Sequence, residues 1–262
     1  MATEPVTHTH LHLPGMAPTP KRPVRLVARD LDASELLSAH LHAWGQVTYA
    51  LDGVVRVTVG NSTWIVPPMR AIWIPPKALH EVATLEKARL RALYVHADAA
   101  PFKGSECEVL EVSALLREMI VAFAQADAGE AREALLSALI LDELARSTTL
   151  PIRVALPGDK RLKALCETLI ADPASPLTLD DLAKQVGASS RTLSRLFERE
   201  LGMTFSQWRQ QVRLAHAAPL IARGLPLSRV AAELGYASQS AFSAMFKKTF
   251  GQSPSSFFAH KV

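Results

Sequence analysis

The stretches Leu-Ala-Lys-Gln-Val-Gly-Ala-Ser-Ser-Arg-Thr-Leu-Ser-Arg-Leu-Phe (182–197) and Val-Ala-Ala-Glu-Leu-Gly-Tyr-Ala-Ser-Gln-Ser-Ala-Phe-Ser-Ala-Met-Phe (230–246) are two copies of one pattern. They lie 48 residues apart up to the shared glycine (Gly187 and Gly235) and 49 apart after it, so the second turn has one extra residue. Each copy predicts a short helix, a glycine-containing turn and a second amphipathic helix, which is the layout of a helix-turn-helix. A tandem pair of this motif indicates a domain that contacts double-stranded DNA.

The second helix of each copy has an apolar and a polar face at a period of 3.6 residues. The predicted buried residues are Leu193, Leu196, Phe197, Phe242, Met245 and Phe246. The predicted DNA-contacting residues on the opposite faces are Arg191, Ser194, Arg195, Arg199, Gln239, Ser240, Ser243 and Lys247. Arginine and glutamine form bidentate hydrogen bonds with guanine and adenine in the major groove. The alternative, a helical domain with a solvated basic face, is disfavoured because the turn glycine and the buried phenylalanine recur together.

The charge distribution supports a separate basic domain. Residues 159–262 hold 14 Lys and Arg against 8 Asp and Glu, whereas the whole chain of 262 residues holds 29 against 25. Positive charge is therefore concentrated where the repeats lie, as binding to DNA phosphates requires. Cys107 and Cys166 have no metal or redox spacing and predict a reducing, cytoplasmic environment. The chain shows neither a signal-peptide pattern nor an apolar run of about 18 residues, so no membrane association is expected.

The N-terminal half predicts a β domain. Residues 1–22 are rich in Pro, Thr and His and predict a disordered tail, with metal binding by its histidines as the alternative. Residues 23–109 contain short segments rich in Val, Ile, Tyr and Trp, separated by turn signals such as Asp52-Gly53 and Gly60-Asn61. Many short strands with regular turns predict an antiparallel barrel or jelly roll.

A group of imidazole-bearing residues within those strands predicts a binding site. His40, His42, Gln46 and Gly53 have the spacing His-x-His-x3-Gln-x6-Gly, and His80 follows Pro75 by five positions. Side chains at i and i+2 of a strand share a face, so the first two histidines are expected to point into the barrel. The spacing resembles the two motifs of the cupin barrel, with glutamine where a glutamate is usual.

Two interpretations of this group stay open. Three imidazoles suit a divalent transition metal (Zn, Ni, Fe or Cu), and the neutral glutamine would bind it more weakly than a glutamate. Alternatively, the pocket is free of metal and hydrogen-bonds a small organic effector.

The segment between the two domains predicts helices. Residues 110–150 have apolar positions at helical spacing on both sides of Asp127–Gly129, which predicts an antiparallel helical connector. This pair either covers the barrel or associates with a second subunit as a homodimer. Residues 151–158 are predicted to be a linker, and Asp159 is predicted to cap the first helix of the DNA-binding domain, residues 159–262.

Residues 189–197 and 231–254 closely resemble the AraC/XylS family of transcription regulators. The resemblance implies a seven-helix DNA-binding unit whose base-contacting positions fall on Arg191, Ser194, Arg195, Gln239, Ser240, Ala241 and Ala244. The position of Ala244 is often an arginine in the family. Together with the cupin-like barrel, the chain is similar to the subgroup of nitroimidazole-resistance regulators, which control a neighbouring efflux transporter gene.

The expected fold class is thus an α+β multidomain protein: a cupin barrel, a helical connector and an all-α tandem helix-turn-helix domain. The expected function is transcription regulation in response to a small molecule or metal, with RNA polymerase as a further partner of an activator. The competing class is a cupin metalloenzyme with a helical appendage. Pro219 lies within the predicted linker helix, and we expect a kink near residues 216–219.

Overall fold

The computed structural model describes residues 15–66, 70–125, 129–150, 154–250 and 253–258. These residues form two compact units. The first contains the described residues from 15 to 60 and from 65 to 150, and the second contains 61–64 and those from 154 to 258.

The first unit is built from two antiparallel sheets. Its elements are β1 (Val24–Leu31), β2 (Leu36–His40), β3 (Gly45–Ala50), β4 (Val55–Val59), β5 (Ser62–Val66), β6 (Arg70–Ile74), β7 (His80–Thr84), β8 (Ala88–Val95), a 3-10 turn (Ala97–Ala99), β9 (Glu108–Glu111), α1 (Ala114–Ala124), α2 (Gly129–Arg146) and β10 (Thr149–Leu150). One sheet has the order β1-β8-β3-β6-β9-β10, and the strands of the other sheet named above have the order β5-β4-β7-β2. The predicted antiparallel, cupin-like fold is confirmed.

The outer face of the six-stranded sheet packs against the two helices in one apolar core. Tyr49 and Trp73 from the sheet are buried with Ile120 of α1 and Ile140 of α2. The Ser113 Oγ donates to Glu143 Oε2 at 2.6 Å, which places the start of α1 beside the end of α2, so the helices are antiparallel. Residues 110–150, expected as a connector, therefore lie in the same unit as the barrel.

The predicted tail is partly ordered. His8, His10 and His12 lie outside the described residues, but residues 15–22 lie within them. Thr19 and Arg22 form an isolated bridge, and the Arg22 Nε donates to Glu133 on α2 at 2.9 Å. A guanidinium–carboxylate pair with directed hydrogen bonds fixes this segment on the helix, in contrast to the expected disorder.

The two turn signals have different roles. Gly60-Asn61 joins β4 to β5, which are neighbours in one sheet, as a hairpin signal predicts. The Asp52-Gly53 signal instead lies between β3 and β4, which belong to different sheets. Gly53 has a φ of 77°, and a Cβ there would lie 2.4 Å from the Lys87 carbonyl oxygen, so the crossing requires glycine.

The second unit is helical. Its described elements are β11 (Val154–Ala155), α3 (Lys160–Ala171), α4 (Leu179–Gln185), α5 (Ser190–Leu201), α6 (Phe205–Ala222), α7 (Leu227–Glu233), α8 (Gln239–Phe250) and α9 (Pro254–Phe258). The Asp159 carboxylate accepts hydrogen bonds from the Arg161 and Leu162 amides and caps α3, as predicted. Within the predicted linker 151–158, Val154 and Ala155 pair with Thr63 and Ser62.

The long helix α6 connects the two helix-turn-helix motifs. Trp208 on α6 is fully buried, and its Nε1 donates to the Ala155 carbonyl at 2.6 Å. The helix α6 continues through Pro219 to Ala222, and the kink expected near residues 216–219 stays a prediction.

The half-buried His216, whose Nε2 atom lies in the interior, predicts a pH dependence of stability. Its Nε2 is buried and has no hydrogen-bond partner among the described residues, and burial lowers its pKa from 6.5 to about 4. Between these values the unfolded chain binds a proton that the native chain does not, so stability falls as the pH drops from 6.5 towards 4. The slope from this residue is at most about 1.4 kcal/mol per pH unit.

The check is thermal unfolding of wild type and His216→Gln at pH 7.5 and 5.0. We expect the unfolding temperature to drop less in the variant, because glutamine does not titrate. An equal drop in both proteins would contradict this origin of the acid sensitivity.

Candidate DNA interface and histidine cluster

The second helices of the two motifs, α5 and α8, have the same burial pattern at an offset of 49 residues. Leu193 and Phe197 are buried in α5, and Phe242 and Phe246 are buried at the equivalent positions of α8. The serine before each helix also recurs: Ser189 and Ser238 each accept a hydrogen bond from the amide three residues later, at 3.1 Å. The duplicated pattern in the sequence is therefore a duplicated structure.

The predicted DNA-contacting residues lie on the faces opposite the core. Arg191, Arg195, Arg199, Gln239, Ser240, Ala241, Ala244 and Lys247 are exposed, and Ser194 and Ser243 are partly exposed. At the offset of 49 residues, Arg191 is equivalent to Ser240 and Arg195 to Ala244. The exposed face of α5 therefore carries arginine side chains where that of α8 carries small ones.

The three histidines predicted to form a site come together in the first unit. His40, His42 and His80 are buried, and one ring nitrogen from each lies within 4.8 Å of the others. His40 is the last residue of β2 and pairs in register with His80 of β7. His42 lies beyond the end of β2, so the strand alternation expected from its spacing does not explain its position. We call these three residues the histidine cluster.

Backbone carbonyl groups fix the tautomer of each ring. The Nδ1 atoms of His40, His42 and His80 lie 2.8, 2.7 and 2.9 Å from the carbonyl oxygens of Ser38, Trp44 and Ala78. A carbonyl oxygen only accepts, so each Nδ1 carries the proton and each neutral ring keeps its lone pair on Nε2. The His80 Nε2 is buried and has no hydrogen-bond partner among the described residues.

Burial also keeps two of the rings, those of His42 and His80, neutral. Loss of solvation lowers the pKa of His80 from 6.5 to about 3, and the neighbouring His40 and His42 rings lower it further. The pKa of His42 is also lowered, mainly by burial. Neutral imidazoles with free Nε2 lone pairs are the form that binds a metal ion.

Gln46 completes this arrangement. Its Oε1 lies 2.9 Å from the His42 Nε2, and its amide nitrogen lies 2.7 Å from the Thr48 hydroxyl. The His42 Nε2 and the Gln46 Oε1 are both acceptors, so they repel each other at this distance. The repulsion is relieved if the Gln46 amide turns its NH2 group towards His42, or if a cation lies beside the Nε2 and the Oε1. Gln46 and Thr48 share one face of β3, a period-2 relation that the sequence already contained.

Two aromatic residues that the sequence analysis missed surround His42. The ring of Trp44 stacks on His42 at a centroid distance of 5.1 Å and an interplanar angle of 3°, and Tyr94 lies 5.5 Å from the same ring. Met16 packs against this aromatic group from the N-terminal segment. Trp44 is two residues from His42, so its proximity could have been noted, but Tyr94 comes from β8 and required the fold.

Comparisons with known proteins agree with both halves. Residues 26–144 match an AraC-like ligand binding domain, and residues 182–260 match a helix-turn-helix domain. The HTH-type transcriptional regulator NimR of Escherichia coli (strain K12) is 33% identical over 223 residues, which cover 84% of this chain and 81% of the relative. The arabinose operon regulatory protein of the same strain is 30% identical over 169 residues, which cover 62% and 56% of the two chains.

Among solved structures, ToxT from Vibrio cholerae O395 aligns over 91% of this chain and 98% of its own, with 13% identity and a TM-score of 0.40. The assignment does not depend on that match. A ligand-binding β domain followed by tandem helix-turn-helix motifs defines a transcription regulator with a sensing and a DNA-binding part. The chain belongs to the AraC family of transcription regulators. Within the described residues, no helix is long and apolar enough to cross a membrane.

Proposed function

We propose that α5 supplies most of the sequence specificity and that α8 mainly anchors the protein on phosphates. The observation that supports this proposal is the difference in side chains between the equally exposed faces of α5 and α8. Arg191 and Arg195 lie on α5 where α8 has Ser240 and Ala244, and only a long cationic side chain reaches a guanine edge bidentately. On α8, Gln239 remains for an adenine, and Lys247 is exposed near the end of the helix where phosphates are contacted.

The effector of the first unit is, in this proposal, one divalent transition ion of the Zn, Ni, Fe or Cu group. The three ring nitrogens of the histidine cluster would hold it, with the Gln46 oxygen as a neutral fourth donor. The orphaned His80 Nε2 and the fixed tautomers support this assignment, since a buried lone pair without a donor partner is unfavourable. We assign no reaction to the site, because the relatives compared above are regulators.

The third part of the proposal is a homodimer formed through α2. The buried face of α2 covers the barrel, but Leu135 and Leu139 are 68% and 52% exposed. Arg132 and Asp142 lie five residues before and after Ser137, and Leu135 and Leu139 lie two residues before and after it. We call Arg132, Leu135, Leu139 and Asp142 the α2 stripe.

The stripe is complementary to itself. If two copies of α2 cross antiparallel through their exposed faces, at the level along the helix of the buried Ser137, each Leu135 meets Leu139 of the partner subunit and each Arg132 meets Asp142 of the partner subunit. A two-fold interface needs such self-complementarity, with apolar contacts at the centre and opposite charges at the rim. A second copy of the chain is therefore the proposed occupant of this surface.

We further propose that the protein acts on bacterial DNA in the cytoplasm, which its membership of the AraC family supports. If it activates, RNA polymerase is a further partner. The sequence resemblance to nitroimidazole-resistance regulators makes a neighbouring efflux transporter gene the proposed target.

The base-readout proposal predicts different effects for two cations. Arg195→Ala costs about 1–3 kcal/mol at the preferred DNA sequence and relaxes the preference at one base pair. Lys247→Ala weakens binding to every sequence and lowers the slope of log affinity against log salt by about one. Duplexes selected from a random pool with the full chain, titrated at several salt concentrations, provide the measurement.

The complementary test introduces an arginine on α8 at the position equivalent to Arg195. Ala244→Arg is expected to add a preference at one base pair in the second half-site, because it places a guanidinium at the position equivalent to Arg195. Equal losses on selected and random DNA for Arg195→Ala would refute direct readout.

The metal proposal predicts close to one equivalent of Zn or Ni per chain after loading and dialysis. His42→Ala and His80→Ala lose it, whereas a His8/His10/His12 triple alanine variant, which tests the N-terminal histidines, retains it. Gln46→Glu binds more tightly because a carboxylate adds negative charge to the site. Elemental analysis gives the stoichiometry, and quenching of Trp44 fluorescence by Ni or Cu follows binding, since this ring stacks on His42. Equal metal content in wild type and His80→Ala would reject the site.

The dimer proposal predicts a charge-reversal rescue. Arg132→Asp and Asp142→Arg each weaken dimerisation by placing like charges opposite each other, and the double variant restores it. The molar mass from sedimentation, followed against concentration, is the measurement. Leu135→Lys makes the chain monomeric, whereas Leu36→Lys, at a leucine of the barrel that is 52% exposed, leaves the mass unchanged. Failure of the double reversal to rescue would contradict the antiparallel crossing.

A further inference from the structure

The loop that precedes the first helix-turn-helix motif contacts the turn of the second motif, in addition to the connection through α6. The contact links the loop between α3 and α4, residues 172–178, with the turn of the second motif at Gly235 and Tyr236. Arg213 on α6 lies between them. Its Nε donates to the Pro173 carbonyl oxygen at 3.1 Å, and its guanidinium lies 5.2 Å from the centre of the Tyr236 ring.

A side chain at Gly235 would have to displace this loop. A Cβ at this position would lie 3.0 Å from the Ala174 carbonyl oxygen and 3.2 Å from the Arg213 Nη2. Since the first of these atoms belongs to the backbone of the loop, a methyl group cannot be accommodated by moving a flexible side chain. Gly187 occupies the equivalent turn of the first motif, with φ of 62° against 71° for Gly235, but a Cβ there would meet no described heavy atom within 4 Å.

We infer that Arg213 and Gly235 set the angle and spacing between α5 and α8, and thereby the number of base pairs between the two half-sites that the protein accepts. A helix of 18 residues such as α6 is about 27 Å long and is itself stiff, but the short connections at its ends can turn. The contact between the loop 172–178 and the turn at Gly235 joins the two halves of the domain at a second point. Two points of contact fix the orientation of α8 relative to α5, which the connection through α6 alone leaves free. Arg213 and Gly235 are positioning residues, because they act through the recognition helices rather than by contacting bases.

The neighbouring Arg209 shows what is specific about Arg213. It lies one turn earlier on α6, and its Nη1 donates to the Leu177 carbonyl at 2.7 Å, in the same loop. Its guanidinium lies 5.8 Å from the Phe205 ring, on its own helix. The contacts described for Arg209 thus tie α6 only to the loop between α3 and α4, whereas those of Arg213 extend to the second motif. The two arginines form a matched pair for an experiment.

The inference rests on the proposed readout by α5 and α8, and spacing is the property that tests it. Each inserted base pair moves the second half-site by about 3.4 Å and rotates it by about 34–36° around the DNA axis. Duplexes selected with the wild-type full chain are remade with one or two base pairs inserted or removed between the half-sites. The wild type is expected to lose about tenfold or more in affinity away from its preferred spacing, because the halves no longer bind together.

Gly235→Ala and Arg213→Met are expected to flatten or shift this spacing profile. Gly187→Ala and Arg209→Met are expected to keep the wild-type profile, although they introduce the same backbone strain and the same loss of a guanidinium. Thermal unfolding of all four variants identifies those that remain folded, and a change of profile in a folded variant is not a stability effect. Arg213→Lys keeps the positive charge but lacks the planar guanidinium that contacts both Pro173 and Tyr236. It is therefore expected to restore less than half of the spacing preference that Arg213→Met loses.

The outcomes separate the inference from the proposed function. A preferred spacing that Gly235→Ala and Arg213→Met both retain overturns the positioning role and leaves the proposed readout standing. A wild-type profile with no preferred spacing overturns both. A profile changed equally by Gly187→Ala and Gly235→Ala shows that turn strain, rather than the contact with Ala174, is responsible, and also overturns the inference.

Discussion

The burial of two side chains four residues apart on each recognition helix is the constraint on which the DNA-binding unit depends. Leu193 and Phe197 on α5, and Phe242 and Phe246 on α8, are each at most 2% exposed. Because a helix repeats every 3.6 residues, fixing one face fixes the opposite one. The two copies could therefore diverge on their exposed faces without changing their fold, and the difference between Arg195 and Ala244 is of this kind.

The barrel uses a different means of fixing its functional groups. The three imidazoles are held by backbone carbonyl groups, and two of those carbonyls belong to loop residues next to a strand end. A carbonyl oxygen cannot donate a proton, so the tautomer is imposed by the chain itself and needs no further acidic side chain. Each ring is in this way oriented by the chain itself, and a side chain that is already oriented loses little conformational freedom on binding a ligand.

The sequence predicted the fold where the signals were local. The amphipathic helices around Leu193 and Phe242, the turn glycines and the Asp159 cap all follow from spacings of at most a few residues, and each is confirmed. The cluster of His40, His42 and His80 was also predicted, but for His42 the expected strand geometry is not the actual reason for its burial. Its position depends on a loop whose path no periodicity describes.

Features that depend on contacts distant in sequence were not predicted. The Asp52-Gly53 signal is a sharp turn, but whether a turn joins strands of one sheet or of two is decided by the whole topology. Arg213 has the appearance of one more basic residue on an amphipathic helix, and its two partners come from segments on opposite sides of it in the chain. Long-range contacts of this type leave no repeat or spacing in the sequence, so only the structure reveals them.

Strand β3 provides the physical connection between the pocket and the α2 helix. Its side chains alternate: Gln46 and Thr48 hydrogen-bond near the histidine cluster, whereas Val47 and Tyr49 are buried in the core that contains Ile140 of α2. A ligand that displaces Gln46 therefore acts on β3. The other face of this strand packs against α2, which carries the α2 stripe. Such a ligand can shift dimerisation only by the difference in its affinity for the two states. If a ligand shifts dimerisation in this way, the same linkage requires dimerisation to change the affinity of the pocket for that ligand by an equal factor.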